Sequence, residues 1–380
     1  MLLSNISNII NIKKTYNFNK NKYFSSITSN SKLANKNTLL IYDKNSKIKK
    51  IYVDEAVKKN IPAIISNKYL NYLKIPQFIV SDISFATNNL LQKIYTISPY
   101  KTVAITGTNG KTSVVWYISK ILTLLKYSNT SVGTLGHFIN GKKMSDINLT
   151  TPAYEELYKY GSISERKKYI YIFEASSHAL QQNRLRNYPI NIAAITNISR
   201  DHLDFHKTFS NYKKTKMKLF TKHLENNGFA IINSRLKSIS TLKKNLIEKN
   251  SNIKFYGNNY LNLKKIDEII YLTINKKKYK LNSIKLNTDI ELENLECAIC
   301  CCLALKIKQN EIVKILSKIT NPPGRLELIK YHKKQSKIIV DYAHTPDALK
   351  KILISFTAKK IKPVLLFGCG GERDKTKRRS

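Results

Sequence analysis

The chain has 380 residues, too many for one ordinary domain and enough for two or three domains that each have a core. Its formal charge of +41 comes from 66 Lys and Arg against 25 Asp and Glu, but the cations are mostly Lys spread among abundant Asn and Ile. This pattern indicates compositional bias and argues against a nucleic-acid partner, and the lack of any run of 18 apolar residues excludes a membrane-spanning helix.

The first hundred residues predict a small α/β domain. The first forty contain no Asp or Glu, a composition that also suits an organelle transit peptide. A helix is predicted over Asp54–Lys59, between the first two of three short strands. The predicted strands are Thr38–Tyr42, Ala63–Ser66 and Phe78–Ser81. The turn Ser98-Pro99-Tyr100 predicts a domain boundary near residue 97.

From about residue 100 onward, short β-branched runs alternate with helical stretches, which predicts a mostly parallel sheet flanked by helices. The predicted strands are Thr102–Thr106, Tyr169–Glu174, Ile190–Asn197, Phe229–Asn233, Lys337–Asp341 and Val364–Gly368. Four cysteines lie in one apolar run and are interpreted as reduced core thiols, and Cys369 is the fifth. The four are Cys297, Cys300, Cys301 and Cys302.

A phosphate-binding loop follows the first of these strands. A glycine turn between a strand and a helix aims free backbone N–H groups and the positive end of the helix dipole at a phosphate. Lys111 is predicted to reach the terminal phosphates and Thr112 to be available to Mg²⁺. Ile105 stands where the common Walker sequence has its first glycine, so the loop is a variant. The candidate nucleotide-binding residues are Gly107, Thr108, Asn109, Gly110, Lys111, Thr112 and Ser113.

Polar side chains follow the next two strands. Glu174 ends one of them, where a carboxylate can hold Mg²⁺ beside a triphosphate, although a capped glutamate at a helix start is the alternative. The segment Asp201-His202-Leu203-Asp204-Phe205-His206 follows the other strand, and Lys216 comes ten positions later. Two imidazoles and two carboxylates in one segment predict a metal or proton-transfer site.

The segment Asn321-Pro322-Pro323-Gly324 predicts an extended linker and a second boundary near residue 322, because proline cannot continue a helix. Arg325, just past this linker, is placed to swing onto a phosphate. Asp341, at a strand end, is a candidate to accept ribose hydroxyls. Ordinary surface chemistry is the alternative for each residue alone.

Taken together, these motifs resemble the Mur ligases, and within that family the members that add the third residue of the peptidoglycan stem peptide. The resemblance is carried by Gly-Thr-Asn-Gly-Lys-Thr, Thr-Thr-Pro, Glu-Ala-Ser-Ser-His-Ala-Leu and four further segments, in family order from about residue 30 to the end. The segments span residues 107–112, 150–152, 174–180, 196–206, 324–327, 341–349 and 367–375. The resemblance implies a uridine-nucleotide-binding domain over 1–97, a central ATPase over 98–322 and a Rossmann-like amino-acid-receiving domain over 323–380.

The resemblance also assigns residues. Ser31 falls on the uridine-contacting serine, in Asn-Ser-Lys where the family has Asp-Ser-Arg, and Asn294 falls on an adenine-side asparagine. Lys216 falls on the lysine that the family carbamylates, which with His202 would position a second Mg²⁺. The residues implied to hold the UDP-MurNAc-dipeptide are Thr150, Thr151, Ser176, Gln182 and Arg184. Leu149 stands where the family often has Asn.

The implied reaction uses ATP and Mg²⁺: a substrate carboxylate attacks the γ-phosphate to give an acyl phosphate, and the amine of an amino acid then displaces phosphate. Lys111 and Arg325 would neutralise charge as the phosphoryl group transfers. The expected partners are UDP-MurNAc-dipeptide and an amino acid, without nucleic acid or membrane. Because family members carry a leader of comparable length, we expect a cytoplasmic protein, and a monomer.

The sequence leaves the last step of the reaction open. It stops at Ser380, shortly after the last motif, whereas the family's third domain continues and carries the motif that selects meso-diaminopimelate or L-lysine. We therefore expect an incomplete C-terminal domain, and we leave the amino acid open. The alternatives are a remnant that binds ATP and the UDP-sugar without completing ligation, another Mur ligase, or folylpolyglutamate synthetase, which shares the loop.

Overall fold

The computed structural model describes residues 1–18, 21–45, 50–162, 168–237, 239–267, 269–281, 284, 286, 288–329, 338–357 and 363–368. It divides into two compact units, of which the first contains residues 1–98 with 153–165 and the second contains 99–152 with 166–380. The first unit ends within one residue of the predicted boundary. Residues 153–165 lie inside the predicted central domain but group with the first unit, and residues from 323 onward group with the second. The three-domain division stays a prediction.

Helices account for the flanking layers of both units. In chain order the α-helices are α1 Lys50–Lys58, α2 Ile83–Ile94, α3 Lys111–Leu124, α4 Tyr154–Gly161, α5 Ser177–Gln181, α6 Leu203–His206, α7 Phe209–Lys218, α8 Ser240–Glu248, α9 Asp289–Ala304, α10 Gln309–Ile315 and α11 Pro346–Thr357. Short 3₁₀ helices span Leu3–Asn8, Ser31–Leu33 and Leu316–Lys318, and a π-helix spans Leu219–His223 directly after α7. Within the described residues, no helix is both long and apolar enough to cross a bilayer.

The first unit is built on a five-stranded sheet in the order β1-β5-β4-β3-β2. Its strands are β1 Ile12–Tyr16, β2 Ser26–Thr28, β3 Thr38–Tyr42, β4 Ile64–Ser66 and β5 Gln77–Val80. Strands β2 to β5 run parallel and β1 pairs antiparallel with β5. The predicted small α/β domain therefore has the expected strands, each within one residue of its predicted start and end.

The second unit is built on an eight-stranded sheet in the order β13-β12-β11-β6-β10-β7-β8-β9. Its strands are β6 Lys101–Thr106, β7 Asn129–Gly133, β8 Gly136–Ile139, β9 Lys142–Ser145, β10 Ile170–Glu174, β11 Ile190–Ile195, β12 Leu224–Asn233 and β13 Asn252–Tyr256. The strands from β13 to β7 are parallel, so their carboxyl ends meet at one edge. The phosphate loop follows β6, at the centre of this edge.

Two smaller sheets complete the second unit. A three-stranded antiparallel sheet contains β14 Leu261–Ile266, β15 Ile269–Ile274 and β16 Lys277–Leu281. A two-stranded hairpin pairs β17 Glu327–Ile329 with β18 Ile338–Val340, so a strand forms where Lys337–Asp341 was predicted, although Lys337 lies outside the described residues. The strand predicted over Val364–Gly368 is wrong: the segment has no strand pairing, and Val364 and Leu366 are fully exposed. Cys369 and the motif residues after it lie outside the described residues.

The core of the second unit lies between the large sheet and the pair α3 and α9. One face of α3 belongs to this core, since Val114, Ile118 and Ile121 are completely buried. The four cysteines of α9 are completely buried in the same core and form no disulfide. The interpretation of this run as core thiols is thus confirmed, and the packing of α9 against α3 fixes the helix that begins at the phosphate loop.

Candidate active site

The phosphate loop needs both of its glycines. Gly107 has a φ of +152° and Gly110 has a φ of +86°, values that side chains rarely tolerate. A Cβ at Gly107 would overlap the hydroxyl of Thr196, and one at Gly110 would overlap the side-chain oxygen of Asn294. Gly110 is also the N-cap of α3 and offers no side-chain cap. The backbone N–H groups in the first turn of α3 therefore remain available to an anion.

The end of β11 holds the loop in place. Asn197 accepts from Thr108 N at 2.9 Å through its carbonyl and from Asn109 N at 3.0 Å through its side chain, and its amide donates back to Asn109 O at 3.1 Å. The hydroxyl of Thr196 also donates to Asn109 O, at 2.5 Å. Four hydrogen bonds thus fix the backbone of a loop that has no regular secondary structure.

Two lysines converge on one carbonyl of this loop. Lys111 Nζ donates to Gly107 O and to Thr108 O, both at 2.9 Å, and Lys216 Nζ donates to Gly107 O at 2.7 Å. Burial lowers the pKa of Lys111, against the raising effects of Glu174 and Asp201. Burial lowers the pKa of Lys216 far more, and neighbouring Lys111 lowers it further. The buried amine of Lys216 and the half-buried amine of Lys111 thus lie on the same carbonyl, an arrangement that favours an anionic ligand.

Tyr212 joins Lys216 to the loop. Its ring lies 4.5 Å from Lys216 Nζ, and its hydroxyl is 3.0 Å from the hydroxyl of Thr108. Lys216 is only 1% exposed, which is exceptional for a lysine. The helix α7 therefore presents a buried amine to the phosphate loop, at the position where the sequence predicts a modified lysine.

Glu174 lies at the end of β10 and is also 1% exposed. Its carboxylate accepts from Thr134 N at 2.7 Å and from the hydroxyl of Thr112 at 3.1 Å. Burial raises the pKa of this carboxyl, whereas Lys111, Thr134 and Arg325 act in the opposite direction. Gly133 is required here because a Cβ on it would overlap the Glu174 side chain.

A hydroxyl and a carboxylate side by side are the oxygen ligands that Mg²⁺ prefers. Thr112 and Glu174 are 3.1 Å apart through their oxygens and both are buried, so the described residues fit a magnesium ion that also binds phosphate. Among the residues that the structure describes, no group of three or more His, Cys, Asp or Glu is arranged around a common point. The fit therefore depends on further ligands from phosphate, water or a modified lysine.

His202 lies in a cluster of aromatic rings beyond β11. It has a φ of +50° and its imidazole Nε2 is 3.4 Å from the carboxylate of Asp201. Its ring lies 4.7 Å from the ring of His178, which in turn contacts Phe205 and His206. Burial lowers the pKa of His206 to about 4, and His178 and Lys216 act in the same direction. The imidazoles of His202 and His206 thus both contact His178, with neutral His206 at the buried end, and the metal or proton-transfer site stays a prediction.

The five residues assigned to the dipeptide form one hydrogen-bonded network. The hydroxyl of Thr151 donates to Glu174 O at 2.7 Å and contacts the hydroxyl of Ser176 at 3.1 Å. Arg184 donates to Thr151 O at 3.0 Å and to Gln182 at 2.8 Å. Thr150 is joined through its hydroxyl to that of Thr134 at 3.2 Å, and Thr134 binds Glu174. The predicted substrate residues and the predicted metal ligand therefore meet at Glu174.

The segment after the linker also contacts Thr112, which binds Glu174. Arg325 donates to the hydroxyl of Thr112 at 3.3 Å, and its guanidinium lies 4.4 Å from the ring of Tyr342. Burial lowers the pKa of Arg325, although Glu174 and Asp341 oppose this. Asp341 itself accepts from Leu326 N at 2.8 Å and from Ala343 N at 2.6 Å. Its carboxylate holds the loop that carries Arg325, and its binding of ribose stays a prediction.

Three other assigned residues have clear surroundings. Asn294 is buried on α9 beside Gly110, and Ser113 is buried in the first turn of α3. Ser31 lies in the first unit, after β2, where its hydroxyl donates to Glu55 at 2.7 Å. Lys59 donates to Ser31 O at 2.8 Å, so the loop after β2 is held by its own domain.

Sequence reasoning did not identify several residues that build the site. Thr134 binds Glu174 through its backbone and hydroxyl, and the pair Gly133 and Gly136 around it was the only available signal. Tyr212 and Asn197 hold the loop through contacts between residues about a hundred positions apart. Such contacts depend on the tertiary fold rather than on a local motif.

Comparison with protein families gives two matches. The model of the Mur ligase middle domain matches residues 105–302, and that of the Mur ligase glutamate ligase domain matches residues 324–380. The first contains the phosphate loop, Glu174, His202 and Lys216, and the second contains Arg325 and Asp341. Both halves of the described site therefore fall within matched segments.

Known relatives cover most of the chain. The UDP-N-acetylmuramoyl-L-alanyl-D-glutamate–2,6-diaminopimelate ligase of Rickettsia rickettsii is 35% identical over 86% of this chain and 70% of its own length. The enzyme of the same name from Wigglesworthia glossinidia brevipalpis is 32% identical over 98% of this chain and 80% of its own. A solved structure of a ligase of this name has a TM-score of 0.68 and 26% identity, over 93% of this chain and 74% of that one. The MurF ligase of Thermotoga maritima in complex with ADP shares the fold, with a TM-score of 0.63, 18% identity, and coverage of 87% and 74%.

Proposed function

We propose, from the premise that this chain belongs to the Mur ligase family of ATP-dependent ligases, that it adds 2,6-diaminopimelate to UDP-N-acetylmuramoyl-L-alanyl-D-glutamate in peptidoglycan synthesis. The relatives named above carry this activity in their names. The observation that carries the proposal is Glu174, which lies between the phosphate loop and the threonine network. Glu174 thus joins the two sides of the site: its carboxylate accepts from Thr112 on the nucleotide side, and its backbone carbonyl accepts from Thr151 on the side assigned to the dipeptide.

The phosphate loop supports ATP as the phosphoryl donor. Gly107 and Gly110 shape a turn in which a Cβ has no room, and the first turn of α3 directs its N–H groups outward from the same turn. Lys111 folds back on two loop carbonyls, and a bound triphosphate would replace these with stronger charge-assisted bonds. We therefore assign Lys111 to the terminal phosphates and Asn294, beside Gly110, to the adenine side.

Thr112 and Glu174 would hold a magnesium ion, which when bound screens the charge of the phosphates. The chain's own contribution is to fix these two oxygens before the nucleotide arrives. Thr134 does this for Glu174, and Arg325 does it for Thr112. Preorganised ligands lower the reorganisation that phosphoryl transfer otherwise requires.

Lys216 has the environment that carbamylation requires. Burial lowers the pKa of this amine well below its ordinary value, which favours its neutral, nucleophilic form. Attack of the amine on carbon dioxide forms a carbamate and releases one proton. The modification replaces a potential cation beside Lys111 with an anion, which removes the repulsion between the two side chains. We propose that this carbamate and His202 supply the ligands of a second magnesium ion.

The residues then act in the two steps of the reaction, which are activation of the carboxylate and formation of the amide. The terminal carboxylate of the dipeptide, held by Thr151, Ser176 and Arg184, attacks the γ-phosphate, and the bond to ADP breaks. Lys111 and Arg325 neutralise the charge on the transferred phosphoryl group. The amine of the amino acid then displaces phosphate and forms the amide. Catalysis consists mainly of positioning and charge stabilisation.

The remaining assignments follow from the same chemistry. Ser31 is assigned to the uridine nucleotide and lies in a separate unit from the loop. Because ATP and a nucleotide sugar are cytoplasmic metabolites, we place the reaction in the cytoplasm. The proposed site uses residues of one chain, so we expect a monomer.

The test measures ADP, phosphate and amide product with purified protein, the UDP-MurNAc-dipeptide, ATP and either diaminopimelate or lysine. We expect the amide with diaminopimelate. Lys111→Ala should lower ADP formation by at least about 10³-fold, because the phosphates lose their main cation. Calorimetric binding of the dipeptide substrate should be retained. Lys214→Ala removes an exposed lysine of the same unit and should leave turnover unchanged.

The outcomes separate the alternatives. Retained ligation in Lys111→Ala would refute the assignment of the loop. ADP formation without amide, with either amino acid, would refute ligation and leave carboxylate activation. Amide formation with lysine in place of diaminopimelate would change the acceptor but keep the reaction.

A further inference from the structure

The segment that leads into the linker is held on α3 by two side chains. Trp116 donates from its indole nitrogen to Thr320 O at 2.9 Å, and the hydroxyl of Tyr117 donates to the side-chain oxygen of Asn321 at 2.6 Å. Both aromatic residues lie on the helix whose first two residues are Lys111 and Thr112. The start of the linker and the phosphate site therefore share one rigid element.

Asn321 is held from its other side by α9. Its amide nitrogen donates to the carboxylate of Glu291, which also accepts from Thr288 N at 2.7 Å and from the Thr288 hydroxyl at 2.8 Å. These bonds form the capping box at the start of α9. Tyr117 and Glu291 are buried, and burial together with Glu291 raises the pKa of Tyr117 well above its ordinary value. Asn321 thus links α3 to α9 with both ends of its amide.

The chain between Asn321 and Arg325 has little freedom. Pro322 and Pro323 restrict the backbone, and Arg325 N donates to Pro322 O at 3.2 Å in a tight turn that Gly324 permits with a φ of +68°. Arg325 then reaches the hydroxyl of Thr112. Along α3, Thr112 and Tyr117 are separated by roughly 7 Å of helical rise. The segment is therefore short and stiff. It is held beside Tyr117 at its start, and Arg325 at its end reaches Thr112.

We propose that Tyr117, Asn321 and Glu291 form a linker clamp that positions Arg325 against Thr112. These are positioning residues, because each is one step away from the reacting groups and acts through Arg325. The inference rests on the proposed role of Arg325 in phosphoryl transfer. A purely structural role would lower kcat equally with and without Arg325. The clamp should lower kcat only when Arg325 is present.

The first experiment is a double-mutant cycle on kcat for ADP formation. Tyr117→Phe keeps the ring and removes only the hydroxyl that binds Asn321. We expect it to lower kcat about tenfold in the wild-type background, with KM for ATP changed less than about twofold, since a misplaced group costs mainly transition-state stabilisation. In the Arg325→Ala background the same substitution should lower kcat less than about twofold. Equal losses in both backgrounds would overturn the inference.

The first unit offers a matched control. The hydroxyl of Tyr154 donates to the side-chain oxygen of Asn88 at 2.6 Å, the same bond at the same length as that between Tyr117 and Asn321. Tyr154 is also buried. Tyr154→Phe should therefore destabilise the protein as Tyr117→Phe does, without lowering kcat. An equal loss of kcat in the control would show that any lost tyrosine hydroxyl has this effect.

The second measurement does not depend on turnover. Trp116 is the only tryptophan of the chain, so its fluorescence reports the position of the segment that it binds. Asn321→Ala should free Thr320 from the indole, shift the emission to longer wavelength and increase acrylamide quenching. Tyr154→Phe should leave both unchanged.

Unchanged fluorescence in Asn321→Ala would overturn the clamp, whatever the activity of the enzyme. A wild-type protein that forms no ADP would instead overturn the proposed function, and the fluorescence would then decide the clamp by itself. Altered fluorescence together with a loss of kcat that vanishes in Arg325→Ala supports both.

Discussion

Two arginines of the second unit lie near buried glutamates, and their surroundings differ. Arg235 donates to both carboxylate oxygens of Glu296, at 2.8 and 3.3 Å, and Leu263 N donates to the same carboxylate at 2.7 Å. Burial acts to lower the pKa of Arg235, but the hydrogen bonds and charge of Glu296 outweigh it, so the pKa is raised. Arg235 and Glu296 are a completed pair.

Arg325 has no such pair in its described contacts. It donates to the hydroxyl of Thr112 rather than to the neighbouring carboxylate of Glu174, and it stacks on Tyr342. Burial lowers its pKa, and the raising effects of Glu174 and Asp341 do not compensate. Among the described contacts, Lys111, Arg325 and Glu174 bind hydroxyl, carbonyl or backbone groups and form no ion pair with one another.

The difference separates a structural ion pair from a site prepared for a charged ligand. A completed pair satisfies its own hydrogen bonds and has little to gain from a third group. Charged groups that lie near opposite charges without pairing with them gain strongly from a charged ligand that supplies the missing partner. Substitutions in the two regions should therefore have opposite profiles of activity and stability.

The largest expected effect on activity comes from neutralising the buried glutamate of the site. Glu174→Gln should lower kcat for ADP formation by about 10³-fold, because the site loses its buried negative charge. Its free energy of unfolding should change by less than about 1 kcal/mol, because the amide oxygen of glutamine can still accept from Thr134 N and the described contacts of Glu174 include no ion pair. Steady-state kinetics and urea unfolding measure the two quantities.

Glu296→Gln is the matched substitution in the completed pair. It should cost about 1 kcal/mol of stability, because Arg235 loses its charged partner, although its side chain is 40% exposed and solvent screens part of the interaction. Its kcat should stay within about twofold of wild type, since Glu296 binds only Arg235 and Leu263 among the contacts above. If both variants lost activity and stability in parallel, the distinction between the two regions would be wrong.

The next effect concerns the buried amine of the site. Lys216→Met should lower kcat for ligation about 10²-fold and yet stabilise the protein by about 1–3 kcal/mol at neutral pH, because it removes a buried ionisable group that makes no ion pair among the described contacts. Lys214→Met, on the exposed face of the same helix, should change neither. Urea unfolding in buffers purged of carbon dioxide measures the stability of the unmodified protein.

The pH dependence of this difference has a definite sign. The pKa of Lys216 is lowered in the folded protein and near its ordinary value in the unfolded chain, so the unfolded state binds more protons between the two. Wild-type stability should therefore rise relative to Lys216→Met as the pH rises within this window, at up to about 1.4 kcal/mol per pH unit. A constant difference from pH 7 to 9 would show that the amine is not buried as described.

The sequence predicts well those parts of the site that local motifs specify. The loop at 107–113 and Glu174 follow buried strands, and the carboxyl ends of parallel strands meet at one edge, so their proximity could be expected. The threonine pair and Ser176 were assigned by family resemblance, and the structure joins them to Glu174. These residues lie within short segments whose order along the chain already implies their position.

The rest depends on contacts between distant segments. The bond between Tyr117 and Asn321 joins residues 204 positions apart, and although Asn321 begins the predicted linker, no local pattern pairs it with Tyr117. Asp341 was assigned to ribose because it ends a strand, but its carboxylate accepts two backbone N–H groups, a use that requires knowing where the chain turns next. The strand predicted over Val364–Gly368 failed because apolar character alone does not supply a pairing partner.

The smallest expected effect comes from two buried histidines, one inside the site and one outside it. His206 and His223 are both buried, and in the described part of the chain neither Nε2 atom has a hydrogen-bond partner. Burial lowers the pKa of each to about 4. His206 contacts Tyr212 and His178 in the site, whereas His223 contacts Arg186 O at 3.1 Å, after α7.

Each histidine should contribute the same sign of pH dependence. The unfolded chain binds a proton near pH 6.5 and the folded protein only near pH 4, so stability is lost as the pH falls through this interval, by at most about 1.4 kcal/mol per pH unit for each histidine. His206→Gln and His223→Gln should each remove part of this slope in urea unfolding between pH 6.5 and 4.5. Only His206→Gln should also lower kcat, because only that ring packs on the helix residues that present Lys216. A loss of kcat in His223→Gln equal to that in His206→Gln would mean that the burial of a neutral imidazole near α7, rather than its place in the site, supports catalysis.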